Sequence, residues 1–265
     1  MHSLYKALAF LLLASSAALG FQTVVFQPVI KNVREVPALD LRPIIQELNQ
    51  RKYSKIDELG EAVRFAFQAH GYFKVQVEVS ELYAHADANK RQVIPVEVKV
   101  IAGSKYRLGG IGFSRTNHFS AVQLRGAFPI VQGDFFSREG IAKGLETLRE
   151  MYCSKGFINF SAVPETQVDD QQHTVTLQVA LDEGSVFRVG SLTVAGEESV
   201  PGARRRLLQG WRDFEGRTYT CRTLKDFLYA IKARPTVMPD QIFEASPDVQ
   251  NLTVNIVVTL AKPIF

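Results

Sequence analysis

Gly103-Ser104-Lys105-Tyr106-Arg107-Leu108-Gly109-Gly110-Ile111-Gly112-Phe113 decides the reading of this chain, because it returns as Gly184-Ser185-Val186-Phe187-Arg188-Val189-Gly190-Ser191-Leu192-Thr193-Val194. The two stretches align without a gap at an offset of 81 residues, pairing glycine, serine, aromatic, arginine and glycine positions. Self-similarity at a fixed period marks a repeat architecture and takes precedence over any other motif. One further period, from Ser185, ends at Phe265, so three units fit: 21–103, 104–184 and 185–265.

The middle unit shows the local order most clearly. Tyr106–Phe113 is a short apolar and aromatic run suited to a strand, closed by the polar Ser114-Arg115-Thr116-Asn117. Ala121–Arg125 suggests a short helix that stops near Pro129. Ser137 then offers an N-cap to a longer helix whose apolar stripe is Ile141, Leu145, Leu148 and Tyr152. Gly156 can end that helix in a left-handed conformation, and Phe157–Val163 begins a strand. After the turn Asp169-Asp170-Gln171-Gln172, the residues Val175, Leu177, Val179 and Leu181 alternate with a period of two. The order is strand, helix, helix, strand, strand.

The first unit repeats the second half of that order. Ser54 and Asp57 resemble a capping box, Ile56, Leu59, Val63, Ala66 and Phe67 form a stripe, and Gly71-Tyr72-Phe73 mirrors Gly156-Phe157-Ile158. Val75, Val77 and Val79 alternate, as do Val96, Val98 and Val100, but no aromatic–basic–glycine lead-in opens this unit. The third unit has Leu224, Phe227, Leu228 and Ile231 on a helix and Leu252, Val254, Ile256, Val258 and Leu260 on a strand. Ala233-Arg234-Pro235-Thr236 stands where its helix-ending glycine is expected.

Laid out this way, the chain resembles the POTRA (polypeptide-transport-associated) domains of the outer-membrane barrel-assembly superfamily, the BamA- and TamA-like proteins. The resemblance is carried by Gly133-Asp134-Phe135-Phe136, the helix end Tyr152-Cys153-Ser154-Lys155-Gly156-Phe157, the following hairpin, and Asp182-Glu183-Gly184-Ser185 with Phe187-Arg188-Val189-Gly190. It is clearest in the middle unit, weaker in the third and divergent in the first. It implies an α+β fold of three small tandem β-α-α-β-β domains, each a three-stranded mixed sheet covered by two helices. Superfamily members usually continue into a membrane barrel, and nothing follows Phe265, so the expectation is an array without its barrel, acting in trans or as a divided or shortened member.

Residues 1–20 read as a signal peptide. Lys6 precedes the apolar run Ala7–Ala14, and Ala18-Leu19-Gly20 is a small-x-small cleavage pattern. The run is shorter than the ~20 residues of a membrane-crossing helix. The alternative is an uncleaved anchor. No later segment is long and apolar enough to span as a helix, and the alternating segments are too few for a complete outer-membrane barrel. Without Lys6 the chain carries 30 basic and 27 acidic residues, a balance that does not point to nucleic acid. The expected location is the periplasm, in association with the outer membrane.

Cys153 and Cys221 are the two cysteines. An even number in an exported protein permits a disulfide, but the repeat puts these two at opposite ends of equivalent helices in neighbouring domains. That favours two separate buried thiols.

Catalytic signatures are missing: no Gly-x-Ser-x-Gly, no His-Glu-x-x-His and no phosphate loop occurs. His70, His85, His118 and His173 read as solvated or helix-capping residues, Asp169-Asp170 as a turn, and the Gly109-Gly110-Ile111-Gly112 run as bends or close backbone approach. No enzyme, cofactor, metal or small-molecule substrate is expected. Arg204, Arg205, Arg206 and Arg212 concentrate positive charge in the third unit. They read either as a solvated helix face or, from the resemblance, as a patch against anionic outer-membrane headgroups.

In the resembled fold the strand after the long helix is the sheet edge: Phe73–Val79, Phe157–Val163 and Gln241–Ala245. An open edge offers unpaired backbone groups to an incoming strand. Phe73, Val75 and Val77 in the first unit, and Phe157, Asn159, Phe160 and Ser161 in the second, are therefore the candidate partner-binding residues. Polar Lys74, Gln76 and Glu78 could instead blunt the first edge. The partners implied are proteins, either unfolded outer-membrane precursors or an assembly or secretion complex. The leading reading is a non-enzymatic periplasmic module that binds clients by β-augmentation. The alternative is an envelope scaffold that holds one fixed partner.

Overall fold

The computed structural model describes residues 25–31, 33, 35–51, 53, 55–81, 85–86, 92–196, 201–233 and 242–260. The signal-peptide reading of residues 1–20, the Ser54 cap and the Arg234-Pro235-Thr236 boundary lie outside them.

The first domain contains β1 (Val25–Lys31), α1 (Ala38–Gln50), α2 (Ile56–Ala69), β2 (Gln76–Glu81), β3 (His85–Ala86) and β4 (Gln92–Ile101). The second contains β5 (Arg107–Ser114), α3 (Ala121–Gly126), α4 (Arg138–Cys153), β6 (Ser161–Asp169) and β7 (Thr174–Asp182). The third contains β8 (Arg188–Ala195), α5 (Ala203–Trp211), α6 (Thr223–Ala230), β9 (Phe243–Asp248) and β10 (Thr253–Thr259). The fold class is α+β, and each sheet is mixed. Its central strand runs parallel to the first strand and antiparallel to the outer one, giving the orders β1-β4-β2, β5-β7-β6 and β8-β10-β9. The short β3 pairs with β4 beyond β2. These strands form three separate sheets and no barrel among the described residues.

Each domain has its own core. In the second, Val175, Leu177, Val179 and Leu181 of β7 turn inward on alternate residues and pack against Leu124 of α3 and Leu148 and Tyr152 of α4. Burying such a side chain is worth about 1.5–3 kcal/mol, so this alternation contributes strongly to holding the small domain together. In the first domain, β1 and α1 complete the fold despite the absent lead-in motif. Ile44 and Leu48 of α1 are buried with Leu59, Val63 and Phe67 of α2.

The repeated lead-in has a backbone explanation. Arg107 Nη1 donates to the Gly133 carbonyl, and Arg188 Nη1 donates to the Gly216 carbonyl, in each case tying the start of the first strand to the loop before the domain's second helix. The loop amides close the arrangement: Phe136 N–H donates to Tyr106 O and Tyr219 N–H to Phe187 O, both at 2.8 Å. Gly109 sits at a register shift between Leu108 and Gly110, where a Cβ would stand 2.6 Å from the Thr176 hydroxyl. Gly190 sits at the matching shift of β8, where a Cβ would stand 2.4 Å from Asn255 Oδ1. The glycine of the motif is thus a β-bulge residue that admits close approach of the central strand.

The second helices of the three domains, α2, α4 and α6, end alike. The amides of Tyr72, Phe157 and Ala233 donate back to the carbonyls of Phe67, Tyr152 and Leu228, around a left-handed residue that is Gly71, Gly156 and Lys232 respectively. This is the six-to-one bond of a Schellman motif. A glycine is required at the first two because the next domain lands there: Tyr106 N–H donates to Gly71 O and Phe187 N–H to Gly156 O. A Cβ on Gly71 would lie 3.1 Å from Phe135, and one on Gly156 would lie 2.5 Å from Thr218. Lys232 is exposed and tolerates its side chain. Gly156→Ala is therefore expected to cost about 2 kcal/mol and Lys232→Gly to gain up to about 1 kcal/mol. Denaturant unfolding of the two variants checks the opposite signs.

Candidate strand-docking site

The strand after each long helix is the outer one of its sheet, but it starts later than the sequence suggests. Phe157 and Phe160 are buried in the second core, with the Phe160 ring stacked on Tyr152 at 4.0 Å. Asn159 is exposed beside Gly184, and Ser161 opens β6. In the first domain Val75 is buried and Val77 lies on β2, while Phe73 sits in the preceding turn and packs into the second domain's core. The third edge is β9, Phe243–Asp248. Phe157 and Phe160 are thus unavailable to a partner. A turn that follows a helix in this fold feeds aromatics inward before the strand emerges.

β6 is the longest of these edges, and eight of its nine residues are exposed. Its pairing with β7 places Ala162, Pro164, Thr166 and Val168 opposite Leu181, Val179, Leu177 and Val175, on the helix-facing side. The first three are small and leave space between β6 and part of α4. Between them runs an apolar groove of about 330 Å³ lined by Ile141, Ala142 and Leu145 of α4, Pro164 and Thr166 of β6, and Leu177 on its floor. Phe73, Gln68, Phe136 and Arg138 close one end. On the opposite face Val163 is 56% exposed. Pro164 lacks a backbone donor, which an edge strand tolerates and a central one does not.

The hairpin that carries β6 is anchored at both ends by carboxylates. At its tip Asp169 accepts from the amides of Gln171 and Gln172, the turn role expected of it. Asp170 instead reaches back to Lys74 Nζ and the Tyr106 hydroxyl, which hold its carboxyl below its ordinary range. It joins domains one and two, as does Lys105, which pairs with Asp40 at 2.7 Å and lies over the Phe135 ring.

At the other end, Glu183 is buried and accepts four hydrogen bonds: from the Tyr152 hydroxyl at 2.6 Å, the Asn117 and His118 amides, and His118 Nδ1 at 2.8 Å. Burial alone would raise its pKa, but the bonds from Tyr152, Asn117 and His118 outweigh that and pull it down to about 2. His118 is therefore a partner of a buried carboxylate, neither merely solvated nor a helix cap. The sequence carried one signal for this, an acidic residue at 183, the next step of the period-two alternation Val175, Leu177, Val179, Leu181.

Arg204, Arg205 and Arg212 line a shallow depression on α5 with the half-exposed Leu208, and Arg206 is exposed on the same helix. Arg204 also donates to the Val194 and Gly196 carbonyls at the end of β8. His70 caps α2 through Ala66 O, and His173 packs edge-on against Tyr106; the side chain of His85 lies outside the description. No group of His, Cys, Asp and Glu with metal-ligating placement occurs among the described residues.

Cys153 and Cys221 form a disulfide, contrary to the expectation of separate thiols, with Cα atoms 5.6 Å apart. They do lie at opposite ends of equivalent helices. Stacking of the domains sets the end of α4 against the approach to α6, which the repeat alone does not reveal.

Comparison with known proteins agrees with this architecture. Residues 106–184 match the POTRA family model, described as "Surface antigen variable number repeat". A Treponema pallidum (strain Nichols) protein named "Putative outer membrane protein assembly factor" is 21% identical over 233 residues, or 83% of this chain. The chain spans 28% of that relative's length. POTRA domains 3–5 of BamA from Haemophilus influenzae superpose with a TM-score of 0.62 at 16% identity, over 89% of this chain and 94% of that one. BamA from Haemophilus ducreyi lacking POTRA domains 1–3 gives a TM-score of 0.44 at 15% identity, over 63% of this chain and 31% of that one. Residues 106–184 thus match the POTRA model, and the fold of the described residues is that of a tandem POTRA array.

Proposed function

We propose that this chain is a non-enzymatic periplasmic module of outer-membrane protein assembly, and that its middle domain receives an extended client strand along β6. The observation that carries this is the open β6 edge beside an apolar groove. Main-chain bonds to an edge give affinity with little demand on sequence, while alternate side chains enter the groove. An alternating apolar and polar strand, such as an unfolded barrel segment presents, fits both requirements. The resemblance to an outer-membrane assembly factor supports the compartment and the partner class. No described helix is long and apolar enough to cross a membrane. On the same reading, Arg205 and Arg212 offer contact with anionic headgroups, each worth about 1 kcal/mol near such a surface.

A photoreactive residue at Val163, with Lys143 on the outer face of α4 as control, tests the proposal in the cell envelope. Adducts with many barrel proteins at Val163 alone are expected. One discrete adduct would replace client binding with a fixed-partner scaffold, and equal labelling at both sites would remove the edge from the account.

A further inference from the structure

The two junctions between domains share one backbone plan and differ in the side chains that tie them. In each, a left-handed glycine ends the long helix and its carbonyl receives the first amide of the next domain, from Tyr106 at the first junction and Phe187 at the second. In each, the residue two positions after that glycine crosses over: Phe73 packs into the second core and Ile158 into the third. Three positions before the glycine stand Gln68 and Cys153. Two positions after the loop aromatics Phe136 and Tyr219 stand Arg138 and Cys221. At the first junction this pair is a hydrogen bond, Arg138 Nη1 to Gln68 Oε1 at 3.1 Å. At the second it is the Cys153–Cys221 disulfide.

We propose that this disulfide is a redox-set latch on the second junction, holding domains two and three at a fixed angle while the first junction stays a reversible hinge. The first junction is held by groups that separate without breaking a covalent bond: Gln68–Arg138, Lys74–Asp170 and Lys105–Asp40. The latch can be reached from solvent. Cys221 is exposed and lines a cleft of about 440 Å³ with Glu150, Ser154, Thr220, Arg222 and Asp226. A dithiol reductant attacks Cys221 Sγ as its thiolate, and Cys153 leaves as a thiolate that takes a proton from water. The second thiol of the reductant then displaces Cys221, so the reductant ends as a disulfide and the protein as two thiols. The latch would decide whether the strand-docking domain moves alone or together with the third domain, and its existence does not depend on what β6 binds.

The test uses the full chain recovered from an oxidising compartment. Alkylation without reductant is expected to label neither cysteine, and labelling of both would overturn the proposal. Spin labels introduced through unnatural amino acids at Glu146 and Lys225 then report the second junction, and labels at Glu47 and Glu146 the first. Treatment with dithiothreitol is expected to turn a single narrow 146–225 distance into a broad distribution and to leave the 47–146 distribution unchanged. The double variant Cys153→Ser/Cys221→Ser should match the reduced protein and ignore dithiothreitol. An unchanged 146–225 distance after reduction would show that the noncovalent contacts already fix the junction, and the latch would be refuted.

Discussion

Replacing Glu183 with glutamine lowers the stability of the middle domain by about 3 kcal/mol at neutral pH. The figure follows from the displacement of its pKa from 4.5 to about 2, at about 1.4 kcal/mol per unit. The glutamine keeps the volume and one acceptor oxygen but loses the charge that three donors from Asn117 and His118, and the Tyr152 hydroxyl, are arranged around. Because the folded pKa is depressed, the wild-type contribution is fully present above the unfolded value of about 4.5 and fades as pH falls from there toward about 2. Urea unfolding of the full chain between pH 7 and pH 2 is expected to show the wild type losing this increment across that window. The variant should start lower and lose less. Equal acid sensitivity in both proteins would mean that Glu183 does not hold the hairpin.

Filling the groove is the second large effect. Ala142 is exposed on α4 and lines the groove opposite Pro164 and Thr166. A tryptophan there occupies the space into which alternate side chains of a docked strand would descend. Surface substitutions of this kind usually stay within about 0.5 kcal/mol in stability, so Ala142→Trp should fold normally. Crosslinking from Val163 should fall about tenfold, corresponding to about 1.4 kcal/mol of lost affinity. Lys143→Trp, one residue along on the same helix, should leave it unchanged. A full crosslinking yield from the Ala142→Trp protein would show that strands do not use the groove.

Much of this architecture was legible in the residues, because a repeat puts each structural demand on show twice. The pairs Arg107 and Arg188, and Gly109 and Gly190, mark a strand tied to a loop carbonyl and a bulge against the central strand. The alternation from Val175 to Leu181 marks that central strand directly. What stayed hidden depends on the third dimension. Phe157 and Phe160 have strand-like composition, yet the turn after α4 spends them on the core, and the edge begins at Ser161. On the β6 side the groove is lined by the small residues Pro164 and Thr166, whose significance appears only when α4 stands opposite. The disulfide joins positions 68 residues apart that meet only when one domain is stacked on the next. The hydrogen bonds of Arg204 to the end of β8 likewise appear only in the folded chain. In the first domain, β1 and α1 form without the lead-in motif, since parallel pairing with β4 and burial of Ile44 and Leu48 suffice.

The central claim is that β6 of the middle domain accepts an extended strand. It is tested most directly by titrating the isotope-labelled full chain with a soluble peptide of alternating valine and threonine flanked by lysines. Backbone amide shifts are expected along Ser161–Asp169 and on the groove-facing residues Ile141, Ala142 and Leu145, saturating together and absent in the Ala142→Trp protein. Shifts confined to β2, to β9 or to the arginine face of α5, with β6 unmoved at millimolar peptide, would contradict it.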